Sequence, residues 1–245
     1  MKATFKIWRT HQGTTDGTFQ TFHTEVSEGM VVLDAVHRIQ AEEAPDLAVR
    51  WNCKAGKCGS CSAEINGKPR LMCMTRLSQV NLDEPVTVEP MRAFPPIKDL
   101  VTDVSWNFRV KKSIRKFKVK PKEADGTWRV KQRDIDRVQE FRKCIECFLC
   151  QDVCHVLRDH NKHDEFIGPR FLVYAANLEM NPLDTADRVP DLKDKHGIGY
   201  CNITKCCTKV CPEHIHITDN AIIPLKERVV DRFYDPITRM FRMFK

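Results

Sequence analysis

The sequence has no long hydrophobic run. None of its apolar stretches approaches the ~18 residues that a membrane-spanning helix needs, and the N-terminal MKATFKIWRT lacks the apolar core of a secretory signal. Low-complexity segments are absent as well. An apolar content of 42% is enough for a globular core. We therefore expect a chain without its own transmembrane segment, working in a reducing, cytosol-like compartment.

Cysteine, by contrast, is abundant, and all twelve cysteines fall into three groups. In a reducing compartment, closely spaced thiols are more often metal ligands than disulfide partners. Disulfides are therefore disfavoured, which leaves zinc and iron–sulfur clusters to be distinguished by spacing. The groups are Cys53, Cys58, Cys61 and Cys73; Cys144, Cys147, Cys150 and Cys154; and Cys201, Cys206, Cys207 and Cys211.

The positive charge is uneven. Formal net charge is +7, and the stretch RVKKSIRKFKVKPK (109–122) contains eight basic residues and no acidic one. Such a stretch is compatible with a solvated face or linker, an acidic partner subunit, an anionic membrane surface or nucleic acid. Nucleic acid is the weakest of these, because no aromatic stacking pattern accompanies the charge.

The first hundred residues predict a small β-rich domain. TFKIW, TFQTFHTEV and EPVTVEP have strand composition, and SAEINGKPRLMCM predicts a hairpin at Asn66-Gly67. MVVLDAVHRIQAEE has helical spacing and is limited by Pro45. One helix among these strands suggests a β-grasp-like domain.

The remainder predicts mainly helices. Residues 134–143 and 166–180 have helical patterns, and TDNAIIPLKERVVDRFYD predicts an amphipathic helix that contains Pro224. The tail RMFRMFK is expected to pack or fray rather than to anchor in a membrane. The fold class is thus α+β: residues 1–105 form the first domain, 106–130 a linker, and 131–245 a mostly helical domain.

The first cysteine group has the plant-type ferredoxin spacing for a [2Fe–2S] cluster, C-x4-C-x2-C with a later fourth cysteine. Gly56 and Gly59 let backbone amides approach the sulfides. Zinc is the alternative, but zinc sites usually pair C-x2-C knuckles. The predicted [2Fe–2S] ligands are Cys53, Cys58, Cys61 and Cys73.

The second group, CIECFLCQDVC, has the spacing of a bacterial ferredoxin run, with His155 where proline usually follows. In two-cluster ferredoxins the fourth cysteine of each run binds the other run's cluster. The third group supplies that cysteine in its Cys-Pro sequence. The predicted [4Fe–4S] ligands are Cys144, Cys147, Cys150 and Cys211.

The partner cluster lacks one ligand. Counting back from Cys211 by the ferredoxin spacing places Thr204 where the middle cysteine would stand. A cluster with one unligated corner tends to lose that iron, so a [3Fe–4S] cluster is predicted on Cys154, Cys201 and Cys207. Cys206 is left over. We expect it to be a buried free thiol, with a role as fourth ligand as the less favoured alternative.

The nearby histidines are open to two interpretations. His155, His214 and His216 could be ligands or proton carriers. A lone histidine is more often simply hydrogen-bonded, and we expect that here.

These motifs, in this order, resemble the iron–sulfur subunit of succinate dehydrogenase and fumarate reductase. CKAGKCGSC, EPMRAFPPIKDLVTD, CIECFLCQDVC, FIGPRFL and CNITKCCTKVCP all match landmarks of that family. The resemblance implies a flavoprotein partner with covalent FAD, and single electrons passing through three clusters to quinone in a membrane anchor. It implies no catalytic residue on this chain, and a peripheral position on the cytoplasmic face of the membrane.

The resemblance has departures. Better-known members have Cys-Pro-Ser after the first ferredoxin run and then a tryptophan near the quinone; here the segment is CHVLRDH, with Asp159 near that position, and Asn202 replaces a frequent histidine. These departures imply a divergent anchor class, with menaquinone as the candidate quinone. Other readings are turnover as a fumarate reductase, a free-standing multi-cluster ferredoxin, a zinc adaptor, and a subunit of another flavin dehydrogenase.

Overall fold

The structure is a computed structural model that describes residues 1–11, 14 and 16–236. The whole of the predicted tail RMFRMFK, and part of the turn before the second strand, lie outside these residues. The chain forms two compact units. The first comprises Met1–Ser105 with Ile145–Val153, and the second comprises Trp106–Cys144 with the chain from Cys154 onward. The predicted boundaries at 105 and 131 remain sequence predictions.

A five-stranded sheet forms the base of the first unit. The strand order is β2-β1-β5-β3-β4, in which β1 and β5 run parallel and the other neighbours run antiparallel. Every strand predicted from the sequence is present. The strands are β1 (Lys2–Thr10), β2 (Gly17–Glu25), β3 (Ser62–Ile65), β4 (Lys68–Leu71) and β5 (Val86–Glu89).

The tight turn between β3 and β4 is the one that the sequence predicts. Asn66 and Gly67 have φ of 49° and 68°, the positive values that a type I′ turn requires. A further two-stranded ribbon of β6 (Pro96–Lys98) and β7 (Val101–Thr102) was not predicted, because strands of three and two residues are too short to show an alternating pattern.

The single long helix of the first unit, α1 (Val32–Glu42), packs its apolar residues into the core. Leu33, Val36 and Ile39 are at most 1% exposed, and their spacing places them on one helix face. The Asp34 carboxylate accepts a 3.1 Å hydrogen bond from the Val31 backbone N–H, which satisfies one of the unpaired donors at the helix start.

Helices dominate the second unit. Among the described residues, no helix is long and apolar enough to cross a bilayer. In chain order the remaining helices are α2 (Ser105–Ser113), α3 (Gln132–Gln139), α4 (Leu149–Asp152), α5 (His155–Arg158), α6 (Gly168–Glu179), α7 (Val189–Asp194), α8 (Cys206–Lys209) and α9 (Ile223–Phe233); α4 belongs to the first unit.

The predicted helices of this unit are confirmed with changed ends. The pattern at 134–143 corresponds to α3 and a following 3₁₀ turn, Glu140–Lys143, and α6 begins at Gly168 with Pro169 in its first turn. The last predicted helix divides into a π-helical turn, Ile217–Ile222, and α9. Pro224 is in the first turn of α9, where its missing N–H is not needed.

A buried arginine binds the basic stretch, residues 109–122, to the rest of the second unit. Arg188 is 1% exposed, and its guanidinium donates to the backbone oxygens of Arg115 (2.8 Å) and Lys116 (2.9 Å). It also donates to the Asp184 carboxylate at 2.8 Å. The charge is therefore paired inside the unit, as a buried charge must be.

Candidate iron–sulfur sites

The loop before β3 directs backbone N–H groups at cysteine sulfurs. The amides of Ala55 and Lys57 lie 3.4 and 3.3 Å from Cys53 Sγ, and the Ser60 amide lies 3.5 Å from Cys58 Sγ. Such bonds stabilise sulfur that carries negative charge. This arrangement suits a ligand loop for an anionic cluster.

Two glycines allow this loop to fold tightly. Gly56 and Gly59 have φ of +67° and +70°, in the region that glycine occupies without steric penalty. A Cβ on Gly59 would lie 2.5 Å from the Cα of Cys147. The Ser62 hydroxyl lies 2.8 Å from both the Gly59 and the Cys147 carbonyl oxygens, so it ties the two segments together. Sequence reasoning missed Ser62, because no local pattern indicates this contact.

The thiols at this site differ in environment. Cys53 is exposed, whereas Cys61 and Cys73 are buried. Burial raises the pKa of Cys61 to about 12. Burial also raises the pKa of Cys58, but hydrogen bonds from Ser60 and Cys53 outweigh it and leave the pKa at about 7. The Cys61 thiol thus needs bound metal to ionise near neutral pH, and metal binding would release its proton.

In the first ferredoxin run, the residues on either side of Cys147 have left-handed backbone conformations. Glu146 and Phe148 have φ of 56° and 62°, and the run ends in the short helix α4. Cys147 and Cys150 are buried with the first unit, whereas Cys144 belongs to the second.

Cys211, the predicted fourth member of that set, lies near Cys144 within the second unit. Burial raises the pKa of Cys211, and the charge of Cys144 raises it further, which requires the two thiols to be close. The Ile215 amide lies 3.4 Å from Cys211 Sγ, another N–H directed at sulfur.

The second run repeats the backbone of the first. Ile203 and Lys205 have φ of 62° and 61°, matching Glu146 and Phe148 in position. Helix α8 follows as α4 does in the first run. This match places Thr204 at the backbone position of Cys147, and so supports the alignment on which the missing-ligand prediction depends.

The three cysteines predicted for the third cluster line one cavity in the second unit, together with Thr204. Burial raises the pKa of Cys154 to about 11, and the nearby charges of Cys206 and Cys201 raise it too. Thr218 Oγ1 lies 3.5 Å from Cys207 Sγ, a contact that the sequence did not indicate. The predicted set is Cys154, Cys201 and Cys207.

Cys206 is half-buried and lines the same cavity; the expectation that it would be buried is wrong. Its Sγ lies 3.2 Å from Thr204 Oγ1. Hydrogen bonding with Cys207 lowers the pKa of Cys206 most, burial opposes this, and bonds with Thr204 and His155 lower it further, to about 5.

Two of the three histidines near these sites have side chains held by hydrogen bonds, as we expected. His155 bonds to Cys206. His216 Nδ1 lies 2.6 Å from Glu140 Oε1. His214 adopts a φ of 54° just after the Cys-Pro sequence.

Comparisons with known proteins identify both domains. Residues 4–109 match the family model of a 2Fe-2S iron-sulfur cluster binding domain, and residues 140–215 match a 4Fe-4S dicluster domain. The chain therefore carries a [2Fe–2S] domain followed by a 4Fe–4S dicluster domain, and the predicted α+β fold class is confirmed.

Two relatives that align with most of this chain are both iron–sulfur subunits. The fumarate reductase iron-sulfur subunit of Mycobacterium tuberculosis is 34% identical over 203 residues, covering 81% of each chain. The succinate dehydrogenase iron-sulfur subunit of Paracoccus denitrificans is 28% identical over 207 residues, covering 83% of this chain and 78% of its own.

The structural comparison leads to the same group of proteins. A chain of the Mycobacterium smegmatis Sdh1 complex in the apo form superposes with a TM-score of 0.91 at 59% identity, and the match covers 96% of this chain and 98% of that one. The chain thus belongs to the iron–sulfur subunits of the succinate dehydrogenase and fumarate reductase family, which carry electrons within their complexes.

Proposed function

We propose that this chain relays single electrons from the FAD of a flavoprotein subunit to a quinone at a membrane anchor. The observation that carries the proposal is the presence of three cysteine groups with ferredoxin spacing in one chain of this family. One of them has backbone amides directed at its sulfurs. Flavin and quinone each exchange two electrons, so a relay of one-electron carriers is needed between them.

Each site is proposed to hold one cluster. Cys53, Cys58, Cys61 and Cys73 hold [2Fe–2S]; Cys144, Cys147, Cys150 and Cys211 hold [4Fe–4S]; and Cys154, Cys201 and Cys207 hold [3Fe–4S]. The bound clusters supply one-electron redox chemistry.

The chain's own groups tune this chemistry. Amide donors at Cys53 and Cys58 stabilise negative sulfur, and the hydroxyl of Thr218 is within reach of Cys207. Burial of Cys61 and Cys73 keeps water from part of the first site. Hydrogen bonds and burial are the principal protein controls on cluster potential.

We assign the reaction direction as succinate oxidation, with a quinone as acceptor and menaquinone as the candidate quinone. The 59% identity to a chain of the Sdh1 complex supports this direction. The fumarate reductase direction is the second candidate, supported by the printed name of the M. tuberculosis relative. The proposed position is peripheral, on the cytoplasmic face of the membrane.

Low-temperature electron paramagnetic resonance of the purified complex tests the relay. We expect an isotropic three-iron signal in the oxidised sample, which disappears with dithionite as a [2Fe–2S] signal appears. Zinc in place of iron and acid-labile sulfide, or purification of the chain without a flavoprotein, would overturn the proposal. Succinate-to-quinone and quinol-to-fumarate rates, measured on the same sample, decide the direction.

A further inference from the structure

We infer that Cys206 is a fourth sulfur donor at the third cysteine site, so that this site can bind a complete [4Fe–4S] cluster as well as [3Fe–4S]. The inference rests on the proposed function, because it assumes that Cys154, Cys201 and Cys207 hold a cluster there. It concerns a residue that the family's three-cysteine arrangement at this site does not use.

The missing ligand position is located by the repeated backbone. Ile203 and Lys205 reproduce the positive φ angles of Glu146 and Phe148, so Thr204 occupies the place that Cys147 has in the first run. A threonine hydroxyl is a poor ligand for cluster iron, which prefers thiolate. The fourth corner of this site therefore needs a sulfur from another residue close to Thr204.

Cys206 provides that sulfur. Its Sγ lies 3.2 Å from Thr204 Oγ1, and it lines the same cavity as the three predicted ligands. The side chain of Cys207, itself a predicted ligand, is hydrogen-bonded to it. The four thiols thus share one cavity of a single compact unit.

The corresponding position of the first run has the opposite environment. Leu149, which matches Cys206 in the repeat, is 1% exposed and packs in the core. Cys206 is instead half-buried and turned to the cavity. The residue just before the third cysteine therefore packs in the core in the first run but lines the cluster cavity in the second.

The conversion balances with two co-reactants, one electron and one ferrous ion. One electron, supplied by succinate through the flavin or by dithionite, reduces [3Fe–4S]⁺ to its neutral form. Adding Fe²⁺ to this form gives [4Fe–4S]²⁺ with no further change of oxidation state. The Cys206 sulfur binds the added iron, and a thiol proton is released if the sulfur was protonated.

The test uses the intact complex, reduced anaerobically and incubated with ⁵⁷Fe²⁺. The uptake of iron is measured by Mössbauer spectroscopy. The three-iron signal is then measured by paramagnetic resonance after excess iron has been removed and the sample reoxidised. Wild type is expected to take up one iron per complex at this site and to lose the three-iron signal. Cys206→Ala and Cys206→Ser are expected to keep the signal and take up none.

Thr204→Cys serves as the reference, because it restores the ferredoxin spacing. We expect it to hold four irons there even when combined with Cys206→Ala. Uptake in Thr204→Cys but not in wild type would overturn the inference, as would equal uptake by wild type and Cys206→Ala. Absence of both three-iron and four-iron signals at this site in every variant would instead contradict the proposed function.

Discussion

The guanidinium of Arg188 lies 2.8 Å from the carboxylate of Asp184, and each side chain is 1% exposed. Arg188 also satisfies the backbone oxygens of Arg115 and Lys116. Removing one partner of such a buried pair leaves an uncompensated charge and unpaired acceptors. This ion pair is therefore expected to contribute strongly to the stability of the second unit.

Arg188→Ala is expected to destabilise the second unit by about 3–5 kcal/mol, seen as a lower thermal unfolding midpoint of the purified complex. Arg232→Ala is the matched control, since Arg232 forms a half-exposed pair with Asp187, and exposed pairs contribute roughly 0–1 kcal/mol. Equal shifts for the two variants would contradict this account.

Glu179 predicts a dependence of stability on pH. Burial raises its pKa above the ordinary 4.5, although Arg188 and Arg228 oppose the rise and Asp187 adds to it. Between pH 4.5 and the raised pKa the folded chain holds a proton that the unfolded chain has lost, so stability falls as pH rises through this range.

Glu179→Gln should remove this contribution, and the thermal midpoint should then fall less than in wild type as the pH is raised from 4.5. Glu227→Gln, at an exposed position of α9, should keep the wild-type slope. An unchanged slope in Glu179→Gln would show that another group is responsible.

Gly59 and Gly56 predict a graded effect on the first site. Alanine at Gly59 would place its Cβ 2.5 Å from the Cα of Cys147, and this clash is with backbone that cannot rotate away. Alanine at Gly56 would contact only the side chain of Met74, at 2.8 Å, and that side chain can move. Both substitutions also carry the penalty of a positive φ.

We therefore expect Gly59→Ala to lose most of the [2Fe–2S] signal per flavin in the reduced complex. Gly56→Ala should keep most of it. The same loss in both variants would mean that the positive φ, not the contact with Cys147, controls assembly of this site.

Ile203 predicts a stabilising substitution. It is a β-branched residue with φ of 62°, a conformation that costs about 1–2 kcal/mol for residues other than glycine and asparagine. Ile203 is 38% exposed, so little buried area is lost on replacement. Ile203→Asn should raise the thermal midpoint of the complex, and Ile203→Val, which keeps the branch, should not. A rise in both would point to a cause other than backbone strain.

Much of the fold was predictable because the relevant signals are local. The Asn66-Gly67 turn, the helical spacing in α1 and the Gly168-Pro169 start of α6 each depend on residues close together in the chain. The ligand spacings are local as well, which is why the cluster domains could be recognised before the structure.

The orientation of Cys206 was not predictable. Adjacent side chains diverge on a regular backbone, yet Cys206 and Cys207 both line the same cavity. The buried position of Arg188 also escaped prediction, because its partners Arg115 and Lys116 are more than seventy residues away. The four-residue helices α4 and α8 are too short to show a period.

The matching left-handed positions of the two runs also bear on ancestry. A duplicated ancestral loop would leave such matching positions. One copy would have kept its middle cysteine as Cys147. The other would have exchanged it for Thr204 and kept the inherited backbone, including the left-handed conformation at Ile203. Most other side chains of the run differ between the copies as well, but the left-handed backbone positions are the same. The iron content of the descendant site is therefore open to revision by single substitutions, without a new fold having to arise.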